Sequence, residues 1–166
     1  MMILLGNLIA LLASILMVSS GLLTKKSQIL IVQIIQLSLQ ALSNAILGGF
    51  TGAITNILGC FRNIICYKHK LTYLWKIILI VIMVLLSLKF NTLGIIGFLP
   101  VISVALYTWF IDTKKIINFK WLIVFTAFLW LIFDLRILSF TAAIFDIGNI
   151  ISNLIAIILI KKGQEK

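Results

Sequence analysis

Long apolar runs separated by short polar joints fill the chain from one end to the other. Each run is close to the ~20 residues that a helix needs to cross a bilayer. The runs are continuous rather than alternating, which favours helices over a membrane barrel. The pattern predicts an all-α membrane protein with seven transmembrane helices, at residues 2–22, 28–47, 49–67, 72–90, 92–111, 118–135 and 138–160.

The chain also repeats itself. The segment FTGAI at residues 50–54 returns as FTAAI at residues 140–144, an offset of 90. At the same offset Ile57, Asn63 and Ile65 match Ile147, Asn153 and Ile155. Upstream, at nearly the same offset, Thr24-Lys25-Lys26 returns as Thr113-Lys114-Lys115. Matches at nearly equal spacing indicate a tandem duplication.

The duplication predicts a domain plan. Residues 1–70 form a first triple-helix bundle, residues 71–90 a linker transmembrane helix, and residues 91–166 a second triple-helix bundle. Three helices plus one linker place both copies the same way up, related by an axis along the membrane normal. The predicted fold is therefore two parallel three-helix bundles in a 3+1+3 arrangement.

Composition supports a membrane setting. The chain is 63% hydrophobic and 11% charged, and a soluble core of 166 residues cannot bury that much apolar surface. The net charge of +10 does not indicate a nucleic-acid partner, because the charges sit in short clusters between apolar runs. The expected partner is the lipid bilayer.

Positive residues segregate to one side of the predicted topology, which should be the cytoplasm. That side receives Lys25, Lys26, Lys68, Lys70, Lys76, Lys114, Lys115, Lys120, Lys161, Lys162 and Lys166, with Arg62 near the same end of its span. The other side receives only Lys89 and Arg136. We therefore expect an external N-terminus and a cytoplasmic C-terminus.

The 3+1+3 plan resembles the SWEET, PQ-loop and MtN3-like superfamily. The stretch FTGAITNILGCFRN at residues 50–63 resembles the YgjV-type bacterial inner-membrane proteins. One departure is that the PQ-loop pattern puts a proline, often followed by glutamine, in the first helix of each copy. Here only Pro100 fits, and Val101 follows it. The resemblance implies a solute-contacting Asn on the third helix of each bundle, filled by Asn56 with Asp146 or by Asn63 with Asn153.

A polar stripe follows one face of the third predicted helix. Gly52, Asn56, Gly59 and Asn63 fall within about 60° of one another at 100° per residue. Their counterparts in the seventh helix are Ala142, Asp146, Asn149 and Asn153. The pseudo-twofold should turn the two stripes toward each other. They predict either a solute pocket, with Asn56, Asn63, Asp146, Asn149 and Asn153 as binding residues, or close helix packing with amides as glue.

Two charged residues near this stripe carry hypotheses of their own. Arg62 is a candidate gate residue, or it snorkels to the cytoplasmic interface. Asp146 is the only acid that the sequence places well inside a span, and a protonatable group there suggests proton coupling.

Asp134 and Arg136 bound a tight external turn, where they are expected to pair.

The second predicted helix carries Gln33, Gln36, Gln40 and Asn44 within ~80° of one face. This amide stripe is interpreted as packing or oligomer contact, with pore lining as the alternative. The sixth helix repeats it only sparsely, at Thr126 and Asp134.

No catalytic, cofactor or metal constellation is recognisable, so we expect no enzyme. The sequence predicts a small bacterial inner-membrane transporter or facilitator that moves a small polar solute by alternating access at a mid-membrane pocket. The alternative is a non-transporting scaffold that docks a partner. Amide-to-amide contacts filling the space between the third and seventh helices would favour the scaffold.

Overall fold

The computed structural model describes residues 1–21, 26–68, 71–110 and 116–164. Within these ranges all regular structure is helical, with no strand, which confirms the all-α prediction. The seven α-helices are α1 (Met2–Gly21), α2 (Lys26–Ile46), α3 (Phe50–Lys68), α4 (Tyr73–Phe90), α5 (Leu99–Phe110), α6 (Ile116–Arg136) and α7 (Phe140–Gln164). The matches at residues 24–25 and 113–115, with Lys70 and Lys166, lie outside the described residues.

The predicted fifth helix is divided. A 3-10 helix at Gly94–Phe98 precedes α5, and Pro100 is the second residue of α5. Proline has no N–H to donate, so it fits the first turn of a helix, where that group would have no partner. Asn91 stabilises the segment that leads into the 3-10 helix, since its Nδ2 donates to the Gly94 carbonyl at 2.7 Å and its Oδ1 accepts from Leu93 N at 2.9 Å.

Six helices contact one another in a closed circuit. α2 packs between α1 and α3, and α6 packs between α5 and α7. Contacts of α1 with α7 and of α3 with α5 join the two sets, while α4 lies beside α3 and α5. When α1, α2 and α3 are exchanged with α5, α6 and α7, respectively, the same pairs of neighbouring helices result.

The turns before α3 and α7 are equivalent in detail. Gly48 has φ +79° and Leu138, which lies 90 residues later, has φ +59°. Gly49 N donates to the Asn44 carbonyl at 2.7 Å, and Ser139 N donates to the Asp134 carbonyl at 2.8 Å. The offset of 90 found in the sequence therefore holds in the backbone.

The outward surface of the assembly is largely apolar, as shown by exposed Leu85, Ile95, Ile144 and Leu159. Two segments, Tyr73–Phe90 and Phe140–Lys162, are long and apolar enough to cross a membrane by length and composition. The stretches Met2–Met17, Leu30–Ile46 and Gly94–Phe110 are apolar but shorter.

Phe133 packs where the two sets of helices meet. Its side chain is fully buried, and its ring lies over Gly49 and Gly52 of the first set. A Cβ atom at position 52 would lie 2.6 Å from Phe133 Cε1 and 2.7 Å from Asn44 Nδ2. Glycine at this position therefore leaves room for the Phe133 ring of α6 against α3.

We predict that Gly52→Ala lowers the free energy of unfolding by about 1–3 kcal/mol, because the added methyl overpacks a site with no room. Gly148→Ala is the matched control, since a Cβ there meets nothing within 4 Å. It should leave stability unchanged or raise it. Thermal unfolding of the purified protein in detergent measures both, and equal effects of the two substitutions would contradict this account of the packing.

Candidate functional site

A cavity of about 420 Å³ lies inside the circuit of six helices, with walls from α1, α2, α3, α5, α6 and α7. Its volume falls in the range typical of small-molecule sites. Eight residues singled out from the sequence line it: Gln33, Gln36, Gln40, Asn56, Arg62, Asp146, Asn149 and Asn153. The polar stripes of α2, α3 and α7 thus face one internal space.

One end of the cavity is acidic. Asp134 of α6 and Asp146 of α7 both line it, with only 2% and 8% of their surface exposed. Their carboxyl groups lie close enough to interact with each other. Asp134 Oδ1 and Asp146 Oδ2 have no donor among the described residues. We call Asp134 and Asp146 the acidic pair.

The first half of the chain places amides at the equivalent positions. Asn44 lies 90 residues before Asp134, and Asn56 lies 90 before Asp146. Both are buried, and the Nδ2 atom of each lacks an acceptor among the described residues. Asn56 lines the cavity, whereas Asn44 lies behind the wall and accepts from Gln40 Nε2 at 3.4 Å. Asn56 is therefore part of the cavity wall, while its Nδ2 donor is shielded from the open space.

The other end of the cavity is basic, and Arg62 is its most buried cation, with 6% of its surface exposed. Its Nε and Nη2 donate to Asn63 Oδ1 at 3.1 and 3.0 Å, and its Nη1 donates to Thr108 Oγ1 at 3.4 Å. The guanidinium lies 4.9 Å from the ring centroid of Tyr107. Neutral groups therefore hold this charge in place, in keeping with the tendency of arginine to stack on aromatic rings.

Asn63 links Arg62 to the second helix, because its Nδ2 donates to Gln33 Oε1 at 3.1 Å. Asn63 is fully buried and lies behind the cavity wall, whereas Gln33 and Arg62 line the cavity. The predicted pocket residue Asn63 is thus positioned to hold two lining residues.

The second half supplies a different cation to an equivalent amide. Lys120 Nζ donates to Asn153 Oδ1 at 3.4 Å, and Asn153 Nδ2 donates to Asn149 Oδ1 at 2.8 Å. Lys120 and both amides line the cavity. Each half therefore presents one asparagine, Asn63 or Asn153, whose oxygen accepts from a cation. Seven residues separate Asp146 from Asn153, which places the two ends of the cavity about 10 Å apart along α7.

Packed side chains fill the space between the acidic pair and the turns. Asn44, Thr51, Phe133, Ile137 and Ser139 are all buried there. At the same end Asn7 of α1 ties down the turn before α7. Its Nδ2 donates to the Leu138 carbonyl at 2.9 Å, and its Oδ1 accepts from Thr141 N at 3.0 Å. These buried residues do not line the cavity, whose walls extend from the acidic pair toward Arg62 and Lys120.

The structure corrects the expectation for Asp134. The Asp134 carbonyl takes part in the turn, but its carboxyl group does not pair with Arg136, because the Asp134 side chain is buried on the cavity wall while Arg136 is exposed. Among the described residues Asp146 is accordingly one of two buried acids. The repeat contains the signal for this placement, since the offset of 90 aligns Asp134 with Asn44.

For Lys120 the sequence predicts only a location on the cytoplasmic side. The structure places it on the cavity wall, where its long side chain reaches Asn153. Arg62 has no carboxylate among its hydrogen-bond partners, so it does not pair directly with Asp146. The described residues contain no group of three or more His, Cys, Asp or Glu that could hold a metal ion.

A helical assembly with a largely apolar exterior, and with Arg62, Asp134 and Asp146 turned inward, has the organisation of an integral membrane protein. Comparison with protein families agrees. The chain belongs to the YgjV family, because the family model Imp-YgjV, described as bacterial inner membrane protein, matches residues 4–164. Neither a curated protein nor a solved structure matches the chain.

We predict that Asn63→Ala lowers the free energy of unfolding by about 2–3 kcal/mol, because it removes two hydrogen bonds from a buried charge. Thermal unfolding in detergent measures the loss. Ser152→Ala is the control, since Ser152 is exposed and donates to the carbonyl of Asn149 in its own helix.

The double variant Arg62→Leu/Asn63→Leu tests the cause. It removes the charge together with its acceptor, so it should lose less stability than Asn63→Ala. A double variant that is less stable than Asn63→Ala would show that the guanidinium is not the group left unsatisfied.

Proposed function

We propose that this inner-membrane protein is a small transporter or facilitator that moves a small polar solute by alternating access. The observation that carries the proposal is the cavity, toward which polar side chains from α2, α3, α6 and α7 turn. If the amides served only as packing glue, they would contact one another and fill this space. Instead Gln36, Asn56 and Asp146 line an open space of about 420 Å³.

The helix contacts support the 3+1+3 arrangement as the moving machinery. In the proposal α1–α3 (residues 1–70) and α5–α7 (residues 91–166) are parallel bundles, and α4 (residues 71–90) links them. All seven helices cross the membrane. The bundles meet through α1 with α7 and α3 with α5, the two equivalent contacts of a pseudo-twofold. Rocking about these contacts would open one end of the cavity as it closes the other. This plan is similar to that of SWEET transporters.

The proposed orientation puts the N-terminus outside and the C-terminus in the cytoplasm. Exposed Lys68, Lys161 and Lys162 lie at the ends of α3 and α7 remote from the turns, and Arg136 lies at the turn end. The excess of positive charge remote from the turns supports a cytoplasmic location for that end. In this orientation the turn end faces outward.

The cargo is a small polar solute rather than a strong anion. Amides at Gln33, Gln36, Asn56 and Asn149 offer both donors and acceptors to an uncharged polar molecule. Arg62 and Lys120 at one end are offset by the acidic pair at the other. A strongly anionic solute would meet the carboxyl groups, which disfavours it. The proposal assigns no chemical reaction, cofactor or metal to the chain.

We predict that a thermal-shift screen of the purified protein against sugars, vitamins and nucleosides gives at least one stabilising solute. Asn56→Ala/Asp146→Ala should weaken its binding at least about tenfold, equivalent to 1.4 kcal/mol of lost contacts. Ser38→Ala is the control, because Ser38 is exposed and donates to the Ile34 carbonyl away from the cavity. Full binding by the double variant would move the site elsewhere, and a screen with no stabilising solute would count against transport.

The orientation is tested by cysteine accessibility in a background from which Cys60 and Cys66, both free, have been replaced by serine. Arg136→Cys, at the turn end, should react with a membrane-impermeant maleimide in intact spheroplasts. Lys162→Cys should react only after lysis. Both native side chains are exposed, so burial does not protect either position. The reverse labelling pattern would invert the proposed topology.

A further inference from the structure

Two ionised carboxylates at the acidic pair would need a neutralising partner, and the described residues around the pair do not supply one. Asp134 and Asp146 are more than nine-tenths buried, line the same cavity, and lie close enough for their carboxyl groups to interact. A hydrogen bond between two carboxyl groups needs a proton on one of them, since ionised carboxylates only accept. Two adjacent ionised carboxylates would also repel each other in a medium of low dielectric constant.

The neighbouring helices do not neutralise the pair. Tyr107 is the only titratable side chain in α5, whereas α1 and the 3-10 helix have none. The basic groups of the elements around the cavity are Lys26 on α2, Arg62 and Lys68 on α3, Lys120 and Arg136 on α6, and Lys161 and Lys162 on α7. Arg62 and Lys120 donate to amides, and Lys68, Arg136, Lys161 and Lys162 are exposed. No described group donates to Asp134 Oδ1 or Asp146 Oδ2.

The equivalent amides show what is specific to this site. Asn44 and Asn56 occupy the positions of Asp134 and Asp146 in the first half. An amide has nearly the shape of a carboxyl group, but it does not take up or release a proton near neutral pH. The fold therefore accommodates amides at these two positions, and proton chemistry is confined to the second half.

The pair is also accessible. Both aspartates line the cavity, so water within it gives a path for proton exchange that a sealed core would not. We propose that Asp134 and Asp146 form a proton-binding site that holds one proton between their carboxyl groups. Coupling of this proton to solute movement rests on the proposed transport function, whereas proton binding itself does not.

The test is infrared difference spectroscopy of the purified protein reconstituted in lipid, titrated with acid and base. The chain has only four acidic side chains, so the background of carboxyl absorption is small. The wild-type protein should show a protonated-carboxyl band at neutral pH. The band should shift on transfer to D₂O as cavity water exchanges the proton.

Asp134→Asn/Asp146→Asn should abolish the band, and it reproduces the amide pair of the first half. Asp112→Asn, at an acid of another region, should leave the band intact. A wild-type protein without the band at neutral pH would overturn the proposal, as would a band that survives in the double asparagine variant.

The two proposals fail separately. A wild-type protein without the infrared band would not affect the proposal that a solute binds to Asn56 and its neighbours. A solute screen with no hit removes the transport proposal and leaves the proton site standing. Retained solute binding in Asp134→Asn/Asp146→Asn, with no infrared band, would agree with the proton site and place the solute contacts on the amides.

Discussion

Lipid offers no hydrogen-bond partner, and every polar side chain of this protein has to find one among the helices or in water that the helices enclose. Arg62 shows the first solution, because Asn63, Thr108 and Tyr107 surround its charge with neutral groups. The acidic pair and Asn56 show the second, since these residues line the enclosed cavity. The cavity is thus a consequence of how the polar residues are distributed.

Duplication provides the shape of the assembly, and divergence of the copies provides its chemistry. The turns at Gly48 and Leu138 have the same backbone conformation, although a leucine at positive φ costs roughly 1–2 kcal/mol that a glycine avoids. The same is true at the centre. The acidic pair of the second copy stands at the positions of Asn44 and Asn56 in the first copy. At these positions the first half therefore offers only amides, and the second half offers carboxyl groups.

The helical architecture follows from the sequence because apolar runs and their short joints are visible at the level of single residues. The predicted helices coincide with the observed ones to within a few residues, apart from the break before α5. The stripes of α3 and α7 were also predictable, because side chains that recur every three or four residues share one helix face. Asn56, Asp146, Asn149 and Asn153 all face the cavity as that geometry requires.

Two lining residues escaped sequence reasoning for a physical reason. Asp134 and Lys120 lie close to the ends of an apolar run, and position in a run does not show which way a side chain points. Lys120 reaches Asn153 through its long flexible stem, whose direction depends on helix packing. Helix–helix contacts such as Phe133 over Gly52 join residues far apart in sequence, so no local pattern reports them.

Phe133 makes the two halves mechanically unequal. Its counterpart in the first half is Ser43, a small residue whose hydroxyl donates to the Gly6 carbonyl at 2.8 Å. Any motion that parts the helices at the turns must withdraw the aromatic ring from Gly49 and Gly52, and exposing a phenylalanine to water costs roughly 1.5–3 kcal/mol. In the proposed transport cycle that cost would favour the form with Phe133 buried about ten- to hundred-fold over a form with its ring in water, since 1.4 kcal/mol is a factor of ten. A single side chain would therefore bias the proposed movement of the two bundles.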